Sequence, residues 1–230
     1  MYENIFNRVE QKYILTNDQR EELLKIINDN LEKDKYYESL ISNVYFDDSN
    51  NRLIVNSLDK PLYKDKVRIR SYGNPDMDSD VFFEVKYKYN GIVSKRRIKL
   101  KLIDFYNYLE GKLTSDKQIM KELDYLVSFY DLKPVMFIGY HRYSYKGKED
   151  SNLRITFDDN LTSRRDDLKL ESGMYGEKYF DDNKVIMEIK TLHGYPMWLV
   201  KALSKLKIYP NSFSKYGSIY SKEKVGNMYA

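Results

Sequence analysis

Several short segments of this chain alternate charged and apolar residues, and this pattern constrains the fold more than any other feature. Residues two apart on a β-strand project from the same face, so such a segment has one charged face and one apolar face. Lys66–Tyr72 alternates strictly, while Val81–Tyr89 and Ile92–Leu100 are separated by Asn90-Gly91, a strong signal for a tight hairpin. The pattern therefore predicts a mostly antiparallel sheet.

Helical segments interrupt these strands. Thr16 and Gln19 have the spacing of a capping box, and apolar residues at helical intervals follow as far as Leu31. A second helical stretch is predicted from Ile103 to about Tyr130. It breaks near Gly111 and restarts at a cap formed by Ser115 and Gln118. Pro196 is predicted as the first residue of a helix that ends at Leu206, and a short last helix should follow Ser214-Lys215-Tyr216.

Strand clusters interrupted by helices are typical of an α+β fold. The other predicted strands are Arg8–Tyr13, Ile41–Phe46, Val135–Tyr145, Leu153–Asp158 and Lys184–Thr191, and Leu53–Ser57 is a short extended or helical piece. We expect the strands to close into an antiparallel β-barrel that forms a tunnel, with the helices packed outside. Neither a linker nor a repeat divides the chain, so residues 1–230 are expected to form a single domain.

Composition excludes several classes of protein. The chain has no Cys, so disulfides, zinc-thiolate sites and thiol catalysis are excluded. Its first residues lack the basic and apolar regions of a signal peptide. No segment approaches the roughly 18 consecutive apolar residues of a membrane span. We expect a cytoplasmic protein without a membrane segment.

The charged strand faces are mostly positive, although the whole chain has a net charge of only +4. The carboxylates among them are Glu10, Glu84, Asp158 and Glu188. The cations are Arg8, Lys12, Lys66, Arg68, Arg70, Lys86, Lys88, Lys95, Arg97, Arg142, Arg154, Lys190 and Lys215.

A sheet with one solvated charged face is the plainest interpretation of any one of these strands, but solvated faces mix signs because like charges on neighbouring strands repel. Two like charges about 5 Å apart at an effective dielectric of about 20 repel by roughly 3 kcal/mol. A bound polyanion such as a chain of phosphates would reverse that repulsion.

Three carboxylates, Glu10, Glu84 and Glu188, each precede a Lys by two residues. An ion pair with the neighbouring lysine explains Glu84 as well as a ligand role does. Glu10 and Glu188 are the better candidates to bind Mg²⁺ or Mn²⁺, because these ions prefer oxygen ligands and bridge phosphates. His141 and His193 are far apart in the sequence, so a histidine-based metal site is not expected.

An ordered series of short motifs resembles the VTC (vacuolar transporter chaperone) domain, the polyphosphate polymerase branch of the triphosphate tunnel metalloenzymes. The resemblance covers nearly all of residues 6–220. The motifs are RVEQKY from Arg8, NVYFD from Asn43, KVRIRSYG from Lys66, FEVK from Phe83, SKRR from Ser94, RITFD from Arg154, MEIK from Met187 and FSKY from Phe213. Each motif is weak alone, whereas the ordered series is specific.

This resemblance implies a polymerase that transfers the γ-phosphate of ATP to a growing inorganic polyphosphate chain inside a basic tunnel. It implies that Glu188 holds a divalent metal, Mn²⁺ or Mg²⁺, with the help of Glu10. The residues that it implies as phosphate contacts are Lys12, Arg68, Arg70, Lys86, Lys95, Arg97, Arg142, Arg154 and Lys215.

Two alternatives stay open. The same site would hydrolyse triphosphate or a nucleoside triphosphate if water replaced the phosphate acceptor. A non-catalytic module that binds polyphosphate or RNA is the other. RNA binding favours exposed aromatic residues interleaved with the basic ones. Because Tyr13, Tyr72 and Tyr87 are expected in the core or at its rim, no nucleic-acid partner is predicted.

Overall fold

The computed structural model describes residues 9–90, 92–180, 183–192 and 194–228 of the 230-residue chain. Arg8, Gly91 and His193, on which predictions were made, lie outside the described residues. The strands are β1 (Val9–Thr16), β2 (Leu31–Asp47), β3 (Tyr63–Tyr72), β4 (Asp80–Tyr89), β5 (Ile92–Lys101), β6 (Lys133–Gly147), β7 (Arg154–Arg164), β8 (Glu177–Lys178) and β9 (Lys184–Thr191). The helices are α1 (Asn17–Ile27), a 3₁₀ turn (Asn28–Asn30), α2 (Arg52–Leu58), α3 (Leu102–Leu109), α4 (Gln118–Tyr130), α5 (Met197–Lys205) and α6 (Lys215–Met228).

The strands form a sheet with the order β1-β9-β7-β6-β2-β3-β4-β5, and β8 pairs with β7. The α+β prediction is confirmed, but the prediction of a closed barrel is wrong, because β1 and β5 stand at opposite ends of this order and do not pair within the described residues. Two physical reasons account for the error. Alternation reports which face a residue occupies, whereas closure also needs a consistent strand tilt and stagger. In addition, β5 carries exposed charges such as Lys95 and Arg97, and charged edges discourage further pairing.

The described residues form two compact units. Unit 1 contains the chain up to Ser39, together with Tyr140–Leu161 and Lys178–Phe213. Unit 2 contains Leu40–Gly139, Thr162–Glu177 and the chain from Ser214. Each unit has its own hydrophobic core.

In unit 2 the apolar faces of β3 and β4 pack against α3 and α4. Val67 and Phe83 are fully buried with Phe105 and Leu123 of the two helices. The rings of Phe83 and Phe105 lie 5.2 Å apart. Each buried side chain of this size stabilises the fold by about 1.5 to 3 kcal/mol. The predicted apolar face is therefore confirmed, and the charged residues of these strands other than Asp65 occupy the other face.

Unit 1 repeats this arrangement with β7, β9, α1 and α5. Ile155 and Met187 are buried with Leu23 of α1 and Leu199 of α5. The predicted capping box at the start of α1 is confirmed. Leu31, however, begins β2 instead of continuing the helix, although its side chain is buried.

Two other predicted helix starts differ from the structure. Helix α4 begins with Lys117 as its N-cap residue and without a side-chain cap, so the predicted Ser115 cap is wrong. Pro196 is the N-cap of α5 and not its first helical residue. The predicted breaks are present, since Asn90 and Gly111 both have positive φ angles. Within the described ranges no helix is both long and apolar enough to cross a membrane.

Candidate functional site

Three lysines face one another across β3, β4 and β5 of unit 2. Lys66 is directly opposite Lys86, and Lys86 is directly opposite Lys95. Directly opposite residues of an antiparallel pair have their Cβ atoms about 4.5 to 5.5 Å apart, and like charges in such positions destabilise the sheet. We call these three residues the lysine row. It is an arrangement of positive charge that an anion would stabilise.

Two residues along each strand, and on the same face, lie Arg68, Glu84 and Arg97. They too are directly opposite one another. Glu84 is 2% exposed. Its carboxylate accepts Arg68 Nε at 2.7 Å, lies 3.6 Å from Arg70 Nε and forms a close ion pair with Lys95. Three cations thus share one buried carboxylate, and positive charge remains in excess.

Burial and neighbouring charges shift the pKa of both the Glu84 carboxylate and the Lys95 ammonium group. Burial by itself would raise the pKa of Glu84, but Arg68, Arg70 and Lys95 together lower it to about 2. Burial lowers the pKa of the Lys95 ammonium, and the neighbouring Glu84 opposes that shift. Glu84 is therefore an anion throughout the neutral pH range and acts as an electrostatic anchor for the arginines.

Strand β2 positions the two arginines from the other side of β3. Arg68 Nη1 donates to Tyr45 Oη at 3.1 Å, and Arg70 Nε donates to Asn43 Oδ1 at 2.8 Å. Asn43 in turn donates to the Ile138 carbonyl at 3.0 Å. The sequence interpretation missed Asn43 and Tyr45 as site residues. Their signal was available, since they are two apart in one of the quoted motifs and therefore share a face.

The beginning of α6 lies beside the lysine row. Lys66 Nζ donates to Ser214 Oγ at 2.9 Å. The ring of Tyr216 stacks on that of Tyr45, with 4.7 Å between centroids. Lys215 lies between these two residues in the sequence, and unit 2 contains six of the predicted phosphate contacts. These six are Arg68, Arg70, Lys86, Lys95, Arg97 and Lys215.

In unit 1 the charged face is formed by β1, β9 and β7. Lys12 is directly opposite Glu188, and Glu10 is directly opposite Lys190. Lys190 Nζ lies 2.5 Å from Glu188 Oε1 and 3.8 Å from Glu10 Oε2. Lys12 Nζ lies 3.6 Å from Glu10 Oε1. An ammonium group therefore lies between the two carboxylates that were predicted to hold a metal, and the sequence interpretation did not assign Lys190 to the site.

The two remaining predicted cations of unit 1 are already engaged. Arg142 donates to both carboxylate oxygens of Asp158, at 2.6 and 2.7 Å. Burial would lower the pKa of Arg142, but the attraction of Asp158 raises it well above its ordinary value. Arg154 donates to Ser144 Oγ at 3.0 Å and pairs with Asp34 at 2.9 Å. Both guanidinium groups are thus fixed in position before any ligand binds.

The carboxylate pair of unit 1 fits a divalent cation. Glu188 is buried, and the opposing strand β7 contributes Thr156, whose buried Oγ1 has no hydrogen-bond partner. Two carboxylates and a hydroxyl are hard oxygen donors, and Mg²⁺ typically binds one or two carboxylates while substrate phosphates and water complete its shell. No group of three or more His, Cys, Asp or Glu side chains suited to a metal occurs in the ranges that the structure describes.

Solved structures resemble this fold at low sequence identity. A proposed adenylate cyclase from Bacillus halodurans has 14% identity and a TM-score of 0.57, over 90% of this chain and 93% of that one. A proposed adenylate cyclase from Vibrio parahaemolyticus has 11% identity and a TM-score of 0.47, over 93% and 97%. A protein from Pyrococcus horikoshii has 16% identity and a TM-score of 0.44, over 94% and 99%. The first match shows a shared fold, and the two lower scores support no argument.

The model of the VTC domain matches residues 7–222, so the chain belongs to the VTC domain family. The family that was predicted from the ordered motifs is therefore confirmed. Membership indicates a polyphosphate-related enzyme or binding protein. The roles of the individual site residues stay predictions.

Proposed function

We propose that this chain is a polyphosphate polymerase that uses ATP and a divalent cation, Mn²⁺ or Mg²⁺, and that residues 1–230 act as one domain. The lysine row supports this proposal best. Three lysines stand directly opposite one another across three neighbouring strands, so positive charge is concentrated along this row. A chain of phosphates, with negative charge on every unit, matches such an extended row better than a single small anion does.

The arginines of unit 2 are proposed to bind phosphate oxygens in the transition state. Glu84 and Tyr45 orient Arg68, and Asn43 orients Arg70, so little rearrangement is needed when a phosphate arrives. Preorganised cations of this kind stabilise the charge that develops during phosphoryl transfer, which depends on positioning more than on covalent catalysis by the protein.

The proposed reaction needs no general base. The terminal oxygen of a polyphosphate chain is already ionised, and it forms a new bond to the γ-phosphorus of ATP. The bond from that phosphorus to the oxygen shared with the β-phosphate breaks, and ADP leaves with the electron pair. Glu188 and Glu10 would hold the divalent cation, which neutralises charge on the triphosphate when bound.

The test is to incubate the purified protein with ATP and Mn²⁺ or Mg²⁺ and to resolve the products on a gel stained for polyphosphate. Arg68→Ala and Glu188→Ala are each expected to lower the rate about 100-fold or more. Lys121→Ala is the matched control, because Lys121 is exposed on α4 and outside the site. Its rate should equal that of the unaltered protein.

Two other results would contradict the proposal. Release of ADP and free phosphate without long chains would assign hydrolysis of the triphosphate instead. Tight polyphosphate binding without any turnover of ATP would assign a binding module.

A further inference from the structure

We infer that the hydroxyl of Thr156 is a third protein oxygen at the cation site of Glu188 and Glu10. This inference rests on the proposed function, because it deepens the description of the same metal site. The observation behind it is that the Thr156 hydroxyl is buried and has no hydrogen-bond partner.

Thr156 is 5% exposed, and its Oγ1 has no hydrogen-bond partner. A buried hydroxyl without a partner destabilises a fold, because it has lost its hydrogen bonds to water. Valine has nearly the same shape and would suit a strand equally well. The presence of a hydroxyl here is therefore explained if a ligand completes its bonding.

The register of the sheet places Thr156 beside Glu188. Thr156 on β7 is directly opposite Glu188 on β9, so the two side chains share a face. Across the next pairing, Glu188 is directly opposite Lys12 of β1. The neighbours Ile155 and Phe157 project from the other face into the core of unit 1. Thr156 is thus the polar residue of β7 that stands beside Glu188.

A positive group already lies next to this position. Lys190 Nζ is 2.5 Å from Glu188 Oε1 and 3.8 Å from Glu10 Oε2, which shows that the two carboxylates can share one cation. A divalent cation there would need Lys190 to move aside, and its long side chain permits that. A divalent cation held by these residues would also bind phosphate oxygens and water. A threonine or serine hydroxyl beside an aspartate is an established way to hold a nucleotide-bound Mg²⁺.

The test measures Mn²⁺ binding directly, by the loss of the free-ion electron paramagnetic resonance signal during titration of the whole chain. Thr156→Val is expected to weaken Mn²⁺ binding about tenfold, whereas Thr156→Ser, which keeps the hydroxyl, should stay within about twofold of the unaltered protein. Thr162→Val is the matched control, because Thr162 is a buried threonine of the same strand in unit 2. Glu188→Gln should bind Mn²⁺ weakest of all.

Thermal unfolding of the metal-free protein supplies a second readout. Thr156→Val removes an unsatisfied buried hydroxyl, so its unfolding midpoint should rise by about 2 to 4 °C even as Mn²⁺ binding weakens. A threonine with a purely structural role would lower the midpoint on substitution and leave Mn²⁺ binding unchanged.

The outcomes separate this inference from the proposed function. Normal Mn²⁺ binding by Thr156→Val together with lost binding by Glu188→Gln would overturn the role of Thr156 and leave the metal site in place. Absence of Mn²⁺ binding by the unaltered protein would overturn the metal requirement of the proposed function as well.

Discussion

The charged faces of the two units share one sequence pattern but differ in the arrangement of their charges. In unit 2 the two rows across β3, β4 and β5 hold five cations and a single carboxylate, Glu84. Between β1 and β9 of unit 1, positive residues stand opposite negative ones, as Lys12 does with Glu188 and Glu10 with Lys190. The same alternation of charged and apolar residues thus forms a face suited to an anion in one unit and a face suited to a cation in the other.

The buried carboxylates extend this comparison. Glu84 pairs with three different cations, whereas Asp158 of unit 1 forms a bidentate ion pair with Arg142. Loss of one cation at Glu84 leaves two others in place, whereas loss of Arg142 removes two hydrogen bonds to Asp158 at once.

The largest effect is therefore expected for Arg142→Met, which should lower the free energy of unfolding by about 3 to 5 kcal/mol. Arg70→Met, the matched change in unit 2, should cost only about 1 to 2 kcal/mol, since Arg68 and Lys95 still compensate Glu84. Urea denaturation measures both. Equal costs would contradict the difference between the two carboxylates.

Glu84→Gln should lower the free energy of unfolding at neutral pH by roughly 3 kcal/mol, because a neutral amide no longer attracts Arg68, Arg70 and Lys95. The folded pKa of about 2 lies below the ordinary value of 4.5, so this carboxylate stabilises the fold fully above pH 4.5. That stabilisation is lost as the pH falls toward 2. Unfolding curves at several pH values should therefore converge for the unaltered protein and Glu84→Gln in acid, and parallel curves would refute the pKa.

Lys86→Met tests whether unit 2 binds an anion. Removal of the central lysine of the row should raise the free energy of unfolding of the ligand-free protein by about 0.5 to 1 kcal/mol, because like-charge repulsion is relieved. The same change should weaken tripolyphosphate binding about tenfold, as isothermal titration calorimetry would show. Lys121→Met serves as the exposed control, and a loss of stability in Lys86→Met would count against the row as an anion site.

The smallest effect is expected for Tyr45→Phe. The ring that stacks on Tyr216 is kept, and only the hydroxyl that accepts a hydrogen bond from Arg68 is lost. We expect tripolyphosphate binding to weaken about threefold to fivefold, which corresponds to roughly 1 kcal/mol. An unchanged affinity would show that Arg68 does not need Tyr45 for its orientation.

The local features of this protein could be predicted from its amino-acid sequence. Alternation placed Val67 and Phe83 on a buried face, and the capping box at Thr16 located the start of α1. These signals are local, because side-chain direction on a strand and hydrogen bonding at a helix start depend on residues a few positions apart. The ordered motifs likewise identified the VTC domain family.

The pairing of the strands, by contrast, became known from the three-dimensional fold. It left β1 and β5 at opposite ends of the strand order, aligned Lys66, Lys86 and Lys95 in one row, and placed Thr156 opposite Glu188. A shift of one residue in any pairing would move every side chain of that strand to the other face. Register and closure depend on contacts between residues far apart in the chain, and the alternation within a single strand carries no information about them.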